Sequence, residues 1–523
     1  GYMFYYFDDD VCYASTDLND ITLIDVFELK PYFENENIKK ISHNIKEQII
    51  YLHSQNINFE NPYFDTMIAY YVVNPSATDY SLDTICLELS GNTDSNKIVE
   101  IINLYNNLKD KIEKDGQNKL FYEIEMPLVE VLASMQLSGV KVDKDNLVDF
   151  QSKLAVMIDE FTEKIYSCSG VEFNINSPKQ LGEVLFDTLH LPVVKKTKSG
   201  YSTSVEVLEK LRGTHEIIEY IMEYRHIVKL KGTYADGLLS VIDKNTGKIH
   251  SNFNQTVTVT GRISSTEPNL QNIPIRTELG REVRKMFVAS DDEHILVDAD
   301  YSQIELRVLA HISDDKNMLD AFNNNQDIHT RTASQIFDVE ISDVTSQMRS
   351  RAKTVNFGIV YGMGDFSLAQ ELGIKKAEAK EYINNYFINF SGVKEYMENI
   401  VETAKNDGYV STLFNRRRYL PELNAGNFIQ RSFGERVAMN TPIQGSAADI
   451  IKIAMVNIYK RLKSENLKSR LVLQVHDELI IDTYKSELEQ VKSILKYEME
   501  NAVKLKVPLL ADMNVGETWY EAK

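Results

Sequence analysis

Two short acidic strings, DADYSQIELR at Asp298–Arg307 and QVHDELI at Gln474–Ile480, limit most what this chain can fold into. The first follows HILV, so EHILVDAD reads as a buried strand ending at Asp300, with YSQIELRVLAHIS opening a helix. The second lies in LVLQVHDELIIDT, where apolar residues flank a polar break. That is the pattern of a hairpin whose turn presents His476, Asp477 and Glu478. Two aspartates at strand ends, brought side by side, repel each other unless cations lie between them. An all-oxygen site of this kind suits Mg²⁺, which keeps waters and takes substrate phosphates into its octahedron. Two such ions clamp the attacking and leaving oxygens of an in-line phosphoryl displacement.

Composition bounds the setting. A chain of 523 residues, 43% hydrophobic and 26% charged, implies two or more globular domains. No apolar run approaches a membrane span and no secretory signal opens the chain. Three scattered cysteines, Cys12, Cys86 and Cys168, fit neither a disulfide scaffold nor a zinc site and point to a reducing cytoplasm. The net charge of −20 argues against a polyanionic partner, but it is uneven. Residues 1–115 carry 20 Asp+Glu against 8 Lys+Arg, leaving −8 for the rest. Candidate basic tracks are Lys195, Lys196 and Lys198; Arg349, Arg351 and Lys353; and Arg416, Arg417 and Arg418. The arginine triplet fits a polyanion track and a solvated face equally.

Arg349, Lys353, Phe357 and Tyr361 recur every four residues, so on a helix they form one slowly spiralling stripe. A core stripe would not open with two cations, nor a solvated one close with two aromatics. Ser177 followed by Pro178 marks a helix start, and KKTKSGYST at Lys195–Thr203 reads as a basic loop between helices. Pro442 is expected to break the helix between Asn440 and Gln444, leaving Arg436, Asn440 and Gln444 at a helix junction.

Together with RSRAKTVNFGIVYG at Arg349–Gly362, the two acidic strings resemble the three polymerase motifs of family A DNA polymerases. TGRISSTEPNLQNIP (Thr260–Pro274) and ERVAMNTPIQGSAADI (Glu435–Ile450) match the same family, and the resemblance runs from about Phe121 to Lys523. It implies a multi-domain α/β fold: an RNase H-like exonuclease-type domain over 1–115, then a right-hand polymerase domain over 116–523. The thumb would occupy about 140–250, the palm about 251–326 and 425–523, and the fingers about 327–424. The implied activity is template-directed addition of dNTPs to a primer 3′-hydroxyl with release of pyrophosphate, in DNA replication and repair. The implied partners are primer-template DNA and dNTPs, the cofactor two Mg²⁺ ions, the state a monomer, and the location the bacterial cytoplasm, at the nucleoid.

The resemblance also assigns residues. Asp300, Asp477 and the backbone carbonyl of Tyr301 would hold the metals, with Glu478 tuning them from behind or solvating the turn. Arg349 and Lys353 would meet the triphosphate, Lys353 also protonating the leaving pyrophosphate; Phe357 would face sugar and base, and Tyr361 the templating pair. His329 would add a phosphate contact, or else be a structural histidine, and Gln303 would help bind the nucleotide. Glu305 would sit where a ribose 2′-hydroxyl must go, unless it merely pairs with Arg307 or a neighbour. Phage-type RNA polymerases of the same fold lack this glutamate as a group, and Phe357 in place of tyrosine implies poor acceptance of dideoxynucleotides. Arg262, Gln271, Asn272, Arg436, Asn440, Gln444 and His476 would contact DNA, largely along the minor groove, where acceptors are nearly the same for every base pair.

Residues 1–115 resemble the proofreading exonuclease domain of bacterial family members through SHNIKEQIIYL (Ser42–Leu52) and FDTMIAYYVVNP (Phe64–Pro75). That nuclease needs four carboxylates. The chain starts beyond the expected Asp-x-Glu strand, and Asp8, Asp9 and Asp10 read as a hairpin turn. Gln48 stands where a metal-binding aspartate is expected, no Tyr-x₃-Asp follows between Asn92 and Asp115, and Asp65 alone survives. The expectation is a vestigial scaffold without proofreading, on a chain corresponding to a large fragment without a 5′-nuclease domain.

Overall fold

The computed structural model describes the chain from Tyr2 to Lys523, apart from residues 9–10, 18–19, 25–27, 92, 94–95, 199 and 276. It divides into two compact units: 1–138, 253–265 and 297–514 in the first, and 139–252, 266–296 and 515–523 in the second. Among the described residues no helix is long and apolar enough to cross a membrane.

The first unit opens on a five-stranded sheet ordered Asp20–Ile24, Val11–Asp17, Tyr2–Asp8, Lys39–Ser42, Pro62–Asp65. The first three strands are antiparallel, and the last two run parallel to Tyr2–Asp8. Alternation within YMFYYFD buries Met3 and Tyr5 while Tyr2 stays exposed, as period-two side-chain geometry requires. Asp8 pairs with Val11 across the first hairpin, and Asp9 and Asp10 lie outside the described residues. The helices Ile45–Ser54 and Thr66–Val73 follow the strands Lys39–Ser42 and Pro62–Asp65.

A second sheet of the same unit has the order Arg470–Val475, Glu478–Tyr484, His294–Tyr301, Ala511–Gly516. His294–Tyr301 is central and buried along most of its length, as its unbroken apolar run requires. The helices Met126–Ser138, Phe428–Ser464 and Leu488–Glu500 pack against this sheet or each other. Between its strands the chain forms five successive helices: Ile328–Phe337, Ser346–Val360, Asp365–Leu372, Lys376–Asn389 and Ser391–Asp407.

Pro442 does not break its helix: Phe428–Ser464 runs through it without interruption. Proline removes one backbone hydrogen bond and crowds the carbonyl four residues earlier. Here Ala438, Thr441, Ile443, Ser446 and Ala447 around it are buried, so packing on both sides outweighs that local cost.

The second unit has a three-stranded antiparallel sheet, Phe287–Val288, Val140–Val142 and Lys248–Ile249, with Gly139 at φ +60° leading into its central strand. The helices Lys144–Ser169 and Glu216–Leu230 enclose a core of Ile165, Leu181, Leu185, Leu208, Ile217 and Ile221. Ser177 caps its helix by accepting from Gln180 N–H, with Pro178 at the first helical position. The expected basic loop contains a two-residue hairpin, Lys196–Thr197 against Gly200–Tyr201, with Lys195, Lys196 and Lys198 exposed.

Candidate active site

The end of strand His294–Tyr301 is stitched to the hairpin turn, for Tyr301 N–H donates to the carbonyl of Asp477 at 3.2 Å. That bond, with the pairing of the strands His294–Tyr301 and Glu478–Tyr484 in one sheet, sets the two chain segments bearing Asp300 and Asp477 side by side. The turn is His476–Asp477, with His476 at φ +53° and exposed; Glu478 already belongs to the return strand, pairs with Val475 and is buried. Gln474 Nε2 donates to the His476 carbonyl at 2.5 Å and steadies the turn. Asp300 and Asp477 are half-buried, whereas Asp298 is buried two residues back. Tyr301 is buried, its hydroxyl donating to Met499 O at 2.7 Å.

No cluster of three or more His, Cys, Asp or Glu side chains suited to a metal occurs among the described residues. Two adjacent, partly solvated carboxylate segments are nonetheless a fitting protein share for Mg²⁺. That ion takes one or two carboxylates and fills its remaining positions with water and phosphate oxygens.

Beyond the strand end, Gln303 adopts φ +55° and opens the helix Ile304–Ser313. In its first turn, Glu305 is only 5% exposed. Arg262 Nη2 meets Glu305 Oε1 at 2.7 Å, and the Tyr361 hydroxyl donates to Oε2 at 3.4 Å. Burial pushes the Glu305 carboxyl up, while Arg262 and Tyr361 pull it back. Arg307 is not its partner: it donates to the carbonyls of Ser302 and Pro508 at 2.8 and 2.7 Å and lies over the Phe322 ring.

The four-residue stripe is realised on the helix Ser346–Val360, capped by Thr345. Its inner face is Ala352, Val355, Asn356 and Ile359; Arg349 and Lys353 are exposed, Phe357 is half-buried, and Tyr361 closes the helix 43% exposed. Arg349 pairs with Asp327 through Nε to Oδ1 at 3.2 Å and Nη2 to Oδ2 at 2.7 Å. Asp327 also caps the helix Ile328–Phe337. Burial raises this carboxyl, but the bonds from Arg349 and Thr330 outweigh it and hold it at about 2. His329 is buried, its Nδ1 within 2.9 Å of Asn356 Nδ2 and its ring 5.9 Å from that of Phe357. Burial, opposed by Asp327 and helped by the nearby Arg349 and Lys353, lowers its pKa to about 4. Asp327 and Asn356 escape sequence reading. The only signal for them is that one precedes DIHT as a cap and the other is an amide on the inner face of an otherwise apolar helix stripe.

Arg436, Asn440 and Gln444 lie along one side of the unbroken helix Phe428–Ser464, the first exposed and the others half-buried. Asn440 Nδ2 donates to the carbonyl of Val360 at 3.2 Å. Gln271 and Asn272 belong to the second unit, in a short turn capped by Asn269, where Asn272 O accepts from the Tyr234 hydroxyl.

The arginine triplet is neither a basic track nor a solvated face. Arg416 is 2% exposed and bonds Asp449 Oδ1 through Nε at 2.9 Å and Nη2 at 2.6 Å, and also Glu125. Lys452 Nζ joins Glu125 at 2.7 Å. Arg417 pairs with Asp115 at 2.9 Å, and Arg418 reaches Thr441 at 3.5 Å. Arg416 and Lys452 can be buried because each has its counter-charge.

In the N-terminal sheet Asp65 is 1% exposed and accepts from four backbone N–H groups: Asn44 and Ile45 at the start of one helix, Met67 and Ile68 at the start of the next. Burial still lifts its carboxyl to about 6. Gln48 donates to Ser42 Oγ at 3.0 Å and His43 O at 2.8 Å.

Residues 144–521 match the family described as DNA polymerase family A, and residues 7–94 match the DNA polymerase I, ribonuclease H-like domain. DNA polymerase I of Bacillus subtilis (strain 168) is 48% identical over 519 residues, covering 94% of this chain and 59% of that protein. DNA polymerase I of Geobacillus stearothermophilus is 56% identical over 416 residues, covering 80% and 48%. The chain thus spans about half to three-fifths of the length of these relatives. Among solved structures, the POL domain of Pol1 from M. smegmatis, in complex with DNA primer-template and dNTP, is similar with a TM-score of 0.93 and 37% identity, covering 98% of this chain and 93% of that one.

Proposed function

Because this chain belongs to DNA polymerase family A, we propose that it extends a primer 3′ end along a DNA template, joining dNTPs and releasing pyrophosphate. The observation that carries this reading is the Tyr301 N–H bond to Asp477 O, which brings two carboxylate-bearing strand ends together. Asp300 and Asp477, with the Tyr301 carbonyl, would hold two Mg²⁺ ions; when bound, these lower the pKa of the attacking hydroxyl and offset charge on the leaving oxygens.

The chain's own residues do the rest. Arg349 exchanges Asp327 for triphosphate oxygens, a swap between two bidentate anions. Lys353, one turn along, contacts the same phosphates and gives a proton to the departing pyrophosphate. His329, neutral at pH 7 by its lowered pKa, offers a hydrogen bond rather than a charge. Phe357 packs on sugar and base, Tyr361 lies against the templating pair, and Gln303 lines the nucleotide's approach. Glu305, held by Arg262 and Tyr361, fills the space a 2′-hydroxyl would need and so selects deoxynucleotides. Arg262, Gln271, Asn272, Arg436, Asn440, Gln444 and His476 line the path of the primer-template duplex.

In this reading the palm comprises about 251–326 and 425–523, the fingers about 327–424 and the thumb about 140–250, with the polymerase part beginning at 116. The protein works as a monomer in replication and repair at the bacterial nucleoid. The N-terminal part does not proofread: Asp65 is committed to two helix starts and Gln48 offers an amide, which supports a scaffold role. The test is extension of a labelled primer-template with Mg²⁺ and dNTPs, using matched and mismatched 3′ ends, beside Asp477→Asn. Matched extension lost in the variant, with no shortening of the mismatched primer, is the expected result. Tight DNA binding without extension would sink the polymerase assignment, and shortening of the mismatched primer would restore the nuclease.

A further inference from the structure

The ribonuclease H-like part touches the segment that carries Arg262. Lys46, on the helix Ile45–Ser54, donates to Phe253 O at 3.0 Å. Tyr71, fully buried on the helix Thr66–Val73, donates to Thr258 O at 2.6 Å. Asp65 caps the second helix and accepts from Asn44 and Ile45 N–H at the start of the first, so one carboxylate ties both helix starts. Thr258 Oγ1 in turn donates to Arg262 O at 2.6 Å, and its carbonyl also receives Gly261 N–H at 3.5 Å. Gly261 adopts φ +86°, and a Cβ there would lie 2.5 Å from Arg416 Nε. The turn Thr258–Arg262 is therefore gripped by the Tyr71 hydroxyl and by a guanidinium that Asp449 and Glu125 pin in place. From it Arg262 reaches Glu305 at 2.7 Å.

We infer that Tyr71 is a positioning residue for primer extension: it fixes the Thr258–Arg262 turn, and through it the guanidinium that meets both Glu305 and the primer end. The ribonuclease H-like part thereby contributes to the polymerase site. This rests on the polymerase reading. A turn containing a left-handed glycine has little rigidity of its own, and small displacements of a contact group are costly to rate.

The experiment is a two-by-two cycle with the full chain: Tyr71→Phe, Arg262→Ala and the pair, read as kcat and KM for dNTP on matched and mismatched primer ends. Tyr71→Phe keeps the ring and loses one hydrogen bond, so kcat/KM on the matched end falls about two- to tenfold. The loss disappears in the Arg262→Ala background, because the tyrosine acts only through that arginine. Thr258→Val, which cuts the other bond of the relay, repeats the pattern and decides the matter if Tyr71→Phe does not fold. Equal losses with and without Arg262, or no loss at all, overturn the inference while leaving the polymerase reading intact. A wild-type chain that extends no primer removes both.

Discussion

Arg416→Met tests the buried charge cluster directly. The substitution keeps an unbranched side chain of similar length but withdraws the guanidinium from Asp449 and Glu125, both 0% exposed. Glu125 retains Lys452 at 2.7 Å and Gln255 at 2.8 Å, so most of the damage falls on Asp449, left with the Thr412 hydroxyl at 2.8 Å. Removing one partner of a buried ion pair costs roughly 3–5 kcal/mol, because the other charge stays behind uncompensated. The surviving support puts the expectation near the lower end, about 3 kcal/mol. Burial already raises the Asp449 carboxyl against the pull of Arg416, and without Arg416 it rises further. A carboxyl whose folded pKa lies above its unfolded value loses stability as pH rises through the folded pKa. The deficit is therefore larger at pH 8 than at pH 5. Urea unfolding followed by far-ultraviolet circular dichroism measures it, while Trp519, the only tryptophan, reports on the second unit. Arg416→Met with Asp449→Leu recovers part of the loss by removing the stranded charge. A deficit below about 1 kcal/mol, or a double variant no better than the single, would refute the reasoning.

Glu305→Ala opens the space beside the sugar and releases Arg262 and Tyr361; the ratio of kcat/KM for dNTP over rNTP falls roughly a hundredfold, and an unchanged ratio removes the gate assignment. Gly261→Ala places a methyl at positive φ against an immobilised Arg416, so it destabilises by roughly 2 kcal/mol or more and slows primer extension; normal melting and activity would show the turn is looser than its contacts indicate. His329 has its pKa lowered to about 4 by burial, so the unfolded chain protonates it first as pH drops below about 6.5. Stability is lost between roughly pH 6.5 and 4, by about 3 kcal/mol at most, and a His329→Gln variant with the same urea midpoint profile across that window would contradict this.

The pieces of the site that depend on local pattern were legible in the chain. The β-branched run before Asp300 and the polar break at His476–Glu478 specify a strand end and a hairpin by side-chain period alone, although Glu478 itself falls on the return strand. The spacing of Arg349, Lys353, Phe357 and Tyr361 needs only helical geometry. What stayed hidden depends on partners far along the chain. Arg416 reads as a surface cation because nothing near it announces Glu125 or Asp449. Glu305 has an arginine two residues away in sequence, yet its partner is Arg262, on another element. Pro442 carries a strong local signal for a break, and burial of its neighbours overrules it. Asp65 could be flagged as a surviving nuclease carboxylate, but its four backbone donors appear only once two helix starts converge on it.

The buried cluster also sets a clock on biosynthesis. Glu125 and Arg416 are 291 residues apart, and Lys452 lies 327 residues beyond Glu125. At about 5–20 residues per second, the first wait lasts roughly 15–60 s after Glu125 leaves the ribosome. Throughout that interval the carboxylate must remain hydrated, so its surroundings cannot close. The ribonuclease H-like part can form its sheet early, but the floor on which Tyr71 and the Arg262 turn rest is completed only after Lys452 has emerged. A ribosome stalled before residue 416 has emerged would display this region open to proteases, and one stalled after residue 452 has emerged would not.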